Sequence, residues 1–452
     1  MKKIEIEREF LELGNLFREN TKFDESLYSK YNVKRGLRDI DGTGVVTGLT
    51  DISDVISKKE IDGKIVPCEG ELYYRGINVE DIVASQEKGS NRFGFEEVIF
   101  LLLFNKLPTK TELQEFIEVL AHQRKLPRNF VRDVILKAPN ADVMNSISKS
   151  VLTLYSYDKH ALDLSIDNVL KQCIKMISVL PLFAIYAYHS HMHYNENKSL
   201  IIHTSDENLS IAENLLHLLR PDGKYTELEA KVLEIALILH AEHGGGNNST
   251  FTMHVVSSAG SDTYSATTAA LSSLKGPKHG GANIKVVQMF DDIKKHVKHW
   301  NDKEEIKAYL TKILNKEAFD GSGLIYGVGH AVYSISDPRA KILKKYVEKL
   351  AKEKGKNNEF NLYKNVEEVA CSLVTERSKS SKKVSANVDF YSGFAYSMLN
   401  LPTELYTPVF AVARMAGWSA HRLEELYNAG KIIRPAYVSL NSRKEYVDME
   451  NR

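Results

Sequence analysis

From about Gly94 onward the apolar residues of this chain return with the spacing of an α-helix, and no long strand-alternating run follows residue 90. That pattern leaves little room for a large sheet and predicts a mainly α-helical protein. Phe95 to Phe104 is apolar on most sides and reads as a buried helix that stops at Asn105 to Pro108. Further helices are expected near 111–123, 162–179 and 206–219, with a clear stop at Arg220-Pro221-Asp222-Gly223. Thr226 and Glu229 form a capping-box pattern. Leu228, Val232, Ile235, Leu237, Ile238 and Leu239 then give a broad apolar face. Asn248-Ser249-Thr250 and Ser261-Asp262 can cap two more helices. Asp337-Pro338-Arg339 is a strong helix start. The lysines after it read as a solvated face. Pro402 to Trp418 is a final apolar helical region with one buried-looking charge, Arg414. Residues 1–90 are mixed. Gly42, Gly44 and Gly48 mark turns, and Leu72 to Gly76 reads as a strand and turn before a helix.

Composition excludes several classes. A chain of 452 residues with 43% hydrophobic content can bury a large core, enough for two domains. Lys+Arg and Asp+Glu number 60 and 59, so bulk charge gives no reason to expect nucleic-acid or membrane-surface binding. Cys68, Cys173 and Cys371 are scattered and offer neither a disulfide framework nor a Cys-x-x-Cys metal site. The first residues alternate Lys/Arg with Glu around no apolar signal core. The longest apolar run, Val98 to Phe104, is far short of the roughly 20 residues a membrane span needs. A soluble cytoplasmic protein is expected.

Three glycine-flanked segments each carry one acid–base group: Gly276-Pro-Lys-His279-Gly-Gly281, Gly327-Val328-Gly329-His330, and Asn387-Val-Asp389-Phe-Tyr-Ser-Gly393. Glycine is conformationally expensive, so its placement beside each group points to close backbone approach. His279 precedes a predicted helix, where the helix dipole disfavours imidazolium and keeps the ring neutral. Gly327, Val328 and Gly329 lack the third glycine of a dinucleotide fingerprint but suit a flat or phosphorylated ligand. Arg339, at a helix start, can grip a carboxylate with two nitrogens. Asp389 lies among apolar and aromatic residues. Burial there raises a carboxyl pKa and makes it a better base; the competing role is a cap for a helix from Tyr391. His240 and His243 are spaced to share one face at a helix end, but no third metal ligand is evident. His189, His191 and His193 read as a surface stretch.

In order and approximate spacing, these motifs resemble the citrate synthase family. They are His240-Ala-Glu-His243-Gly-Gly-Gly-Asn247, Gly-Pro-Lys-His279-Gly, Gly-Val-Gly-His330-Ala-Val, Asp-Pro-Arg339, Asn-Val-Asp389 and Ala-Arg414-Met-Ala-Gly-Trp. Tyr74-Arg75-Gly76-Ile77 and the Glu97 to Phe104 segment extend the likeness over most of residues 70–440. The resemblance implies an all-α fold. Its large helical domain comprises 1–280 and 386–452, a smaller helical domain is inserted at 281–385, and the active site lies in the cleft between them. It implies a homodimer that condenses acetyl-CoA with oxaloacetate and hydrolyses the thioester. CoA enters as a substrate thioester, with no separate cofactor and no metal. By the same resemblance Asp389 is the base, His279 the donor to the enol and His330 the acid at the oxaloacetate ketone. Arg339, Arg414, His243 and Asn247 hold oxaloacetate, and Arg434 is the arginine donated across the dimer. The Gly327, Val328 and Gly329 turn is read as meeting CoA, and Lys382, with Lys379 and Lys383 beside it, as a phosphate contact of this chain's own. The basic residue that many relatives carry at 334 or 335 is absent here, where the chain reads Ser334-Ile335.

The close alternative is 2-methylcitrate synthase, which uses propionyl-CoA with the same groups. A metal-dependent hydrolase built on His240, His243 and the histidine stretch is a different class, as is a non-catalytic binding protein.

Overall fold

The structure is a computed structural model. It describes the chain except Met1, residues 40–41, 89–91, 330–331 and 378–382, together with the side chains of 2–7 and of Ala429. The chain forms two compact units, Thr50–Ile433 and Met1–Leu49 with Arg434–Arg452.

The larger unit begins with a hairpin. Strand β1 (Ser53–Ile61) pairs antiparallel with β2 (Lys64–Tyr74), Ile61 facing Lys64. Asp62 and Gly63 both have positive φ, the backbone that a two-residue hairpin turn requires. A second turn at Arg75-Gly76, again with both φ positive, adds the short strand β3 (Ile77–Asn78), which leads into the Val79–Lys88 helix. The expected strand and turn near Leu72 to Gly76 are therefore present.

The rest of the unit is helical, as the periodicity requires. The Glu227–His240 helix sits at the centre. Thr226 and Glu229 close a full capping box at its start. Val232, Leu233, Ile235, Leu237, Ile238 and Leu239 are all completely buried. Helices Gly94–Phe104, Pro338–Glu353 and Tyr406–Glu424 pack around it. An element with so little polar surface is stable only when neighbours cover every side.

Four boundaries differ from expectation. The segment expected at 162–179 is the Ile166–Glu196 helix, continuing through Pro181. It is long and apolar enough to cross a bilayer, but 83% of its apolar window is packed inside the protein. His189 and His191 on it are buried rather than on a surface; His189 Nε2 is 3.0 Å from the Leu218 carbonyl. The helix expected from 206 begins at Ile211, after the Ser210–Glu213 capping box. Asn247, not Asn248-Ser249-Thr250, caps the Asn248–Ser258 helix. The smaller unit contains a helix over Lys2–Thr21, which the mixed composition of 1–90 does not signal.

Candidate active site

The second and third glycine-flanked segments are stitched together. Gly329 N–H donates to the Ser385 carbonyl at 2.8 Å, and Asn387 N–H to the Gly327 carbonyl at 2.9 Å. Asn387 Nδ2 donates to the Gly329 carbonyl at 2.8 Å, and Val328 bridges Ala386. Gly327 has φ +80°, and a Cβ there would lie 3.0 Å from the Phe390 Cα. Both facts exclude a side chain. Gly327→Ala is expected to destabilise the fold by about 1–3 kcal/mol. Chemical denaturation checks this, and an unchanged midpoint would show that the turn tolerates a side chain. His330 and Lys382 lie outside the described residues.

Asp389 stands in the first turn of the Val388–Met398 helix. The helix is capped by Asn387, whose Oδ1 accepts the Asp389 N–H at 3.0 Å. Asp389 is therefore not the cap of a helix from Tyr391, and its carboxylate is available for chemistry. Burial raises its pKa to about 6; Asp337 adds to the rise, while Arg339 and Arg414 oppose it.

His279 lies between the Thr263–Leu274 and Ala282–His296 helices. Its Nε2 is 2.9 Å from Ser249 Oγ, which also accepts Trp418 Nε1–H at 3.3 Å. Burial, and then the charge of Arg414, lower its pKa to about 4. The ring is neutral at pH 7, held so by burial and by the charge of Arg414.

Arg339 and Arg414 are both buried. Arg339 Nε and a terminal nitrogen reach the two oxygens of Asp337, at 3.0 and 2.8 Å. Burial works against the Arg339 charge, but Asp337 overrides it and holds the guanidinium above its ordinary pKa. Arg414 donates through Nε to the His240 carbonyl at 2.7 Å and stacks over Phe410. Burial lowers its pKa to about 10, so it remains a cation at neutral pH. The two arginines act on one another and both act on Asp389. The chain thus gathers a base of raised pKa, a neutral imidazole and two buried cations, an arrangement suited to a small dianion and a developing oxyanion.

His240 and His243 do not share a helix face. The helix ends at His240, Ala241 caps it, and His243 lies in the turn beyond. His240 Nδ1 bonds the Ala236 carbonyl, and its ring packs edge-on against Phe410. Burial first, then Arg339 and Arg414, push its pKa down to about 3. His243 stacks edge-on with Tyr333 at 5.4 Å. Asn247 is occupied in shaping the turn: Nδ2 donates to the Gly244 carbonyl at 2.6 Å, and Oδ1 accepts Thr250 N–H. Arg434 is exposed and belongs to the smaller unit.

Residue-by-residue reading passed over Ser249, Trp418, Tyr333 and Asp337 as site residues. Tyr333 is nearly fully buried and donates from its hydroxyl to the Glu71 carbonyl at 3.3 Å. A Cβ on Gly70 would fall 2.6 Å from its ring, so β2 and the 333–336 segment pack only because residue 70 is glycine. Asp337 and Trp418 each stand inside a quoted motif, and that position was the available signal.

The family model described as "Citrate synthase, C-terminal domain" matches residues 40–436. A citrate synthase from Synechocystis sp. is 34% identical over 85% of this chain and 89% of its own length. A 2-methylcitrate synthase from Shewanella oneidensis is 32% identical over 82% of this chain and 90% of its own. Among solved structures, the citrate synthase of Thermoplasma acidophilum, in ternary complex with carboxymethyl coenzyme A and oxaloacetate, superposes with TM-score 0.75. It is 28% identical and covers 92% of this chain and 99% of its own. That of Thermotoga maritima superposes with TM-score 0.71 at 31% identity over 93% and 99%. Sequence motifs, helical architecture and these likenesses agree: the chain belongs to the citrate synthase family and is an acyltransferase.

Proposed function

We propose that this protein condenses acetyl-CoA with oxaloacetate and hydrolyses the resulting thioester to citrate and CoA. The observation that carries the reading is the pairing of a carboxyl group raised to about 6 with a histidine lowered to about 4, beside two buried arginines. A methyl proton next to a thioester is very weakly acidic. Asp389 takes it only if donors already stand where the enol oxygen gathers charge. Neutral His279 is that donor. The Ser249 hydroxyl, 2.9 Å from Nε2, and the packing around it fix the ring so that it can offer an N–H to the thioester oxygen. Arg339 and Arg414 hold the carboxylates of oxaloacetate, and Asn247 acts by fixing the turn that carries His243. His330 delivers a proton to the ketone oxygen as the carbon–carbon bond forms. Gly327, Val328 and Gly329, with Lys382, meet CoA. Closure of residues 281–385 over oxaloacetate excludes water from the enol.

The protein works as a homodimer in this reading, with Arg434 reaching the partner's site. Support comes from the smaller unit, where Phe10, Tyr437 and Tyr446 are between 69% and 94% exposed, a pattern typical of interfaces. Light scattering at micromolar concentration should give twice the chain mass.

Free-thiol release with acetyl-CoA and propionyl-CoA tests the substrate. One methylene in an apolar pocket is worth about 1–3 kcal/mol, so kcat/KM should favour acetyl-CoA by roughly tenfold or more. A preference for propionyl-CoA would assign 2-methylcitrate synthase instead. The rate should fall below pH 6, as Asp389 takes up a proton. A profile flat from pH 5 to 8 would remove Asp389 as the base.

A further inference from the structure

Beside the turn that carries His243 runs a chain of buried and half-buried titratable groups for which the reaction has no direct use. Glu242 is completely buried in the turn that carries His243. Its Oε1 accepts the Ser53 hydroxyl at 3.0 Å and lies 3.2 Å from His421 Nε2. His421 Nδ1 is 3.1 Å from His254 Nε2, and His254 Nδ1 is 2.7 Å from Glu425 Oε2. Proton positions follow from one end. His254 Nδ1–H donates to Glu425, so a neutral His254 offers Nε2 as an acceptor. His421 then donates to it from Nδ1 and faces Glu242 with Nε2–H. With the Glu242 carboxylate 3.2 Å from the other nitrogen of His421, the ring is held in its charged form.

Helix geometry places this cation in relation to the site. Arg414, Gly417 and His421 are spaced to fall on one face of the Tyr406–Glu424 helix. Glu242 lies across that face: a Cβ on Gly417 would sit 2.2 Å from its Oε2. The carboxylate therefore packs on Gly417, 3.2 Å from His421 and within electrostatic reach of Arg414, and only glycine at 417 admits it. A Cβ on Gly245 would stand 3.3 Å from the His421 ring and 3.4 Å from the His254 ring, so part of the Gly244-Gly245-Gly246 run is explained by close packing on this pair.

We propose that His421 is a positioning residue for Arg414: by sharing Glu242 across Gly417, it leaves the Arg414 guanidinium facing the substrate dianion instead of turning back as the sole counter-ion of a buried carboxylate. The groups facing His421 are Glu242 from the turn, His254 from the Asn248–Ser258 helix, and Arg414, Glu424 and Glu425 from its own helix and its continuation. Glu424 Oε2 is 3.7 Å from His421 Nδ1, and its Oε1 is held by the Asp51 N–H. Burial works against the His421 charge, but Glu242 and Glu424 prevail and raise its pKa to about 9. A histidine raised in the fold contributes its stability fully below pH 6.5 and loses it as pH rises through about 9.

This inference rests on the oxaloacetate reading, and the test separates the two. In His421→Gln, KM for oxaloacetate should rise about tenfold while kcat changes less than threefold, as expected when groups in contact are uncoupled. In the wild type, KM for oxaloacetate should rise by a similar factor between pH 8 and 10, and that limb should be missing in His421→Gln. Glu242→Gln/His421→Gln should show less than the product of the single effects. A KM within twofold of wild type in folded His421→Gln would overturn the proposal. So would a wild-type KM constant to pH 10, which is informative even if the variant does not fold. Ligand atoms of His254, His421 and Glu424, one from each, lie within 4.8 Å of one another, close enough to hold a metal. One equivalent of zinc in protein purified without chelator would also overturn it, since His421 would then be a neutral ligand. Absence of any oxaloacetate-dependent thiol release by the wild type would instead defeat the underlying reading.

Discussion

Asp389→Asn should lower kcat for condensation by about 10²–10⁴-fold, the range for loss of a general base, while leaving the protein folded. Asparagine keeps the shape of the side chain but cannot take a proton. The helix start does not depend on the residue, because Asn387 provides the cap. Stability should move the other way from activity. Asp389 titrates above its ordinary value, so its ionised form is disfavoured in the fold, and the stability it contributes fades as pH rises from 3.8 through about 6. A neutral amide removes that penalty, and the thermal midpoint at pH 7 should be unchanged or higher. Steady-state kinetics and calorimetry on one preparation check both halves. A fully active variant would show that another group takes the methyl proton.

The second large effect is expected at Arg414. Arg414→Leu should raise KM for oxaloacetate by on the order of 10²–10³-fold, since truncating one partner of a buried charge pair removes about 2–5 kcal/mol of binding. The fold should survive, because Glu242 keeps His421 and Ser53 as partners. Arg339→Leu makes the contrast. It removes the guanidinium that grips the fully buried Asp337 with two nitrogens, so about 3–5 kcal/mol of stability should be lost as well as binding. Isothermal titration with oxaloacetate, together with urea unfolding, distinguishes the two. Equal destabilisation by both substitutions would contradict this assignment of partners.

Much of this was legible before any coordinates. Apolar period fixed the helical class, and capping signals located helix starts at Thr226, Asp262 and Asp337 because a cap is a local hydrogen bond. Asp389, His279, Arg339 and Arg414 stood out because glycines, an acid cap and an apolar setting mark them in the chain itself. What depends on distant packing was not legible. His189 and His191 read as surface residues until the Ile166–Glu196 helix is seen to cross the core. Asn247 looks like a ligand group, yet its amide closes a turn and caps a helix. Ser249 is an ordinary helix residue until Trp418 and His279 meet on its hydroxyl.

The most direct measurement is release of CoA thiol from acetyl-CoA, followed with and without oxaloacetate, for the wild type and Asp389→Asn. The wild type should liberate one thiol for each oxaloacetate consumed and none in its absence, and the variant should be nearly silent. Thiol release that ignores oxaloacetate, or that proceeds at the wild-type rate in the variant, would contradict the account.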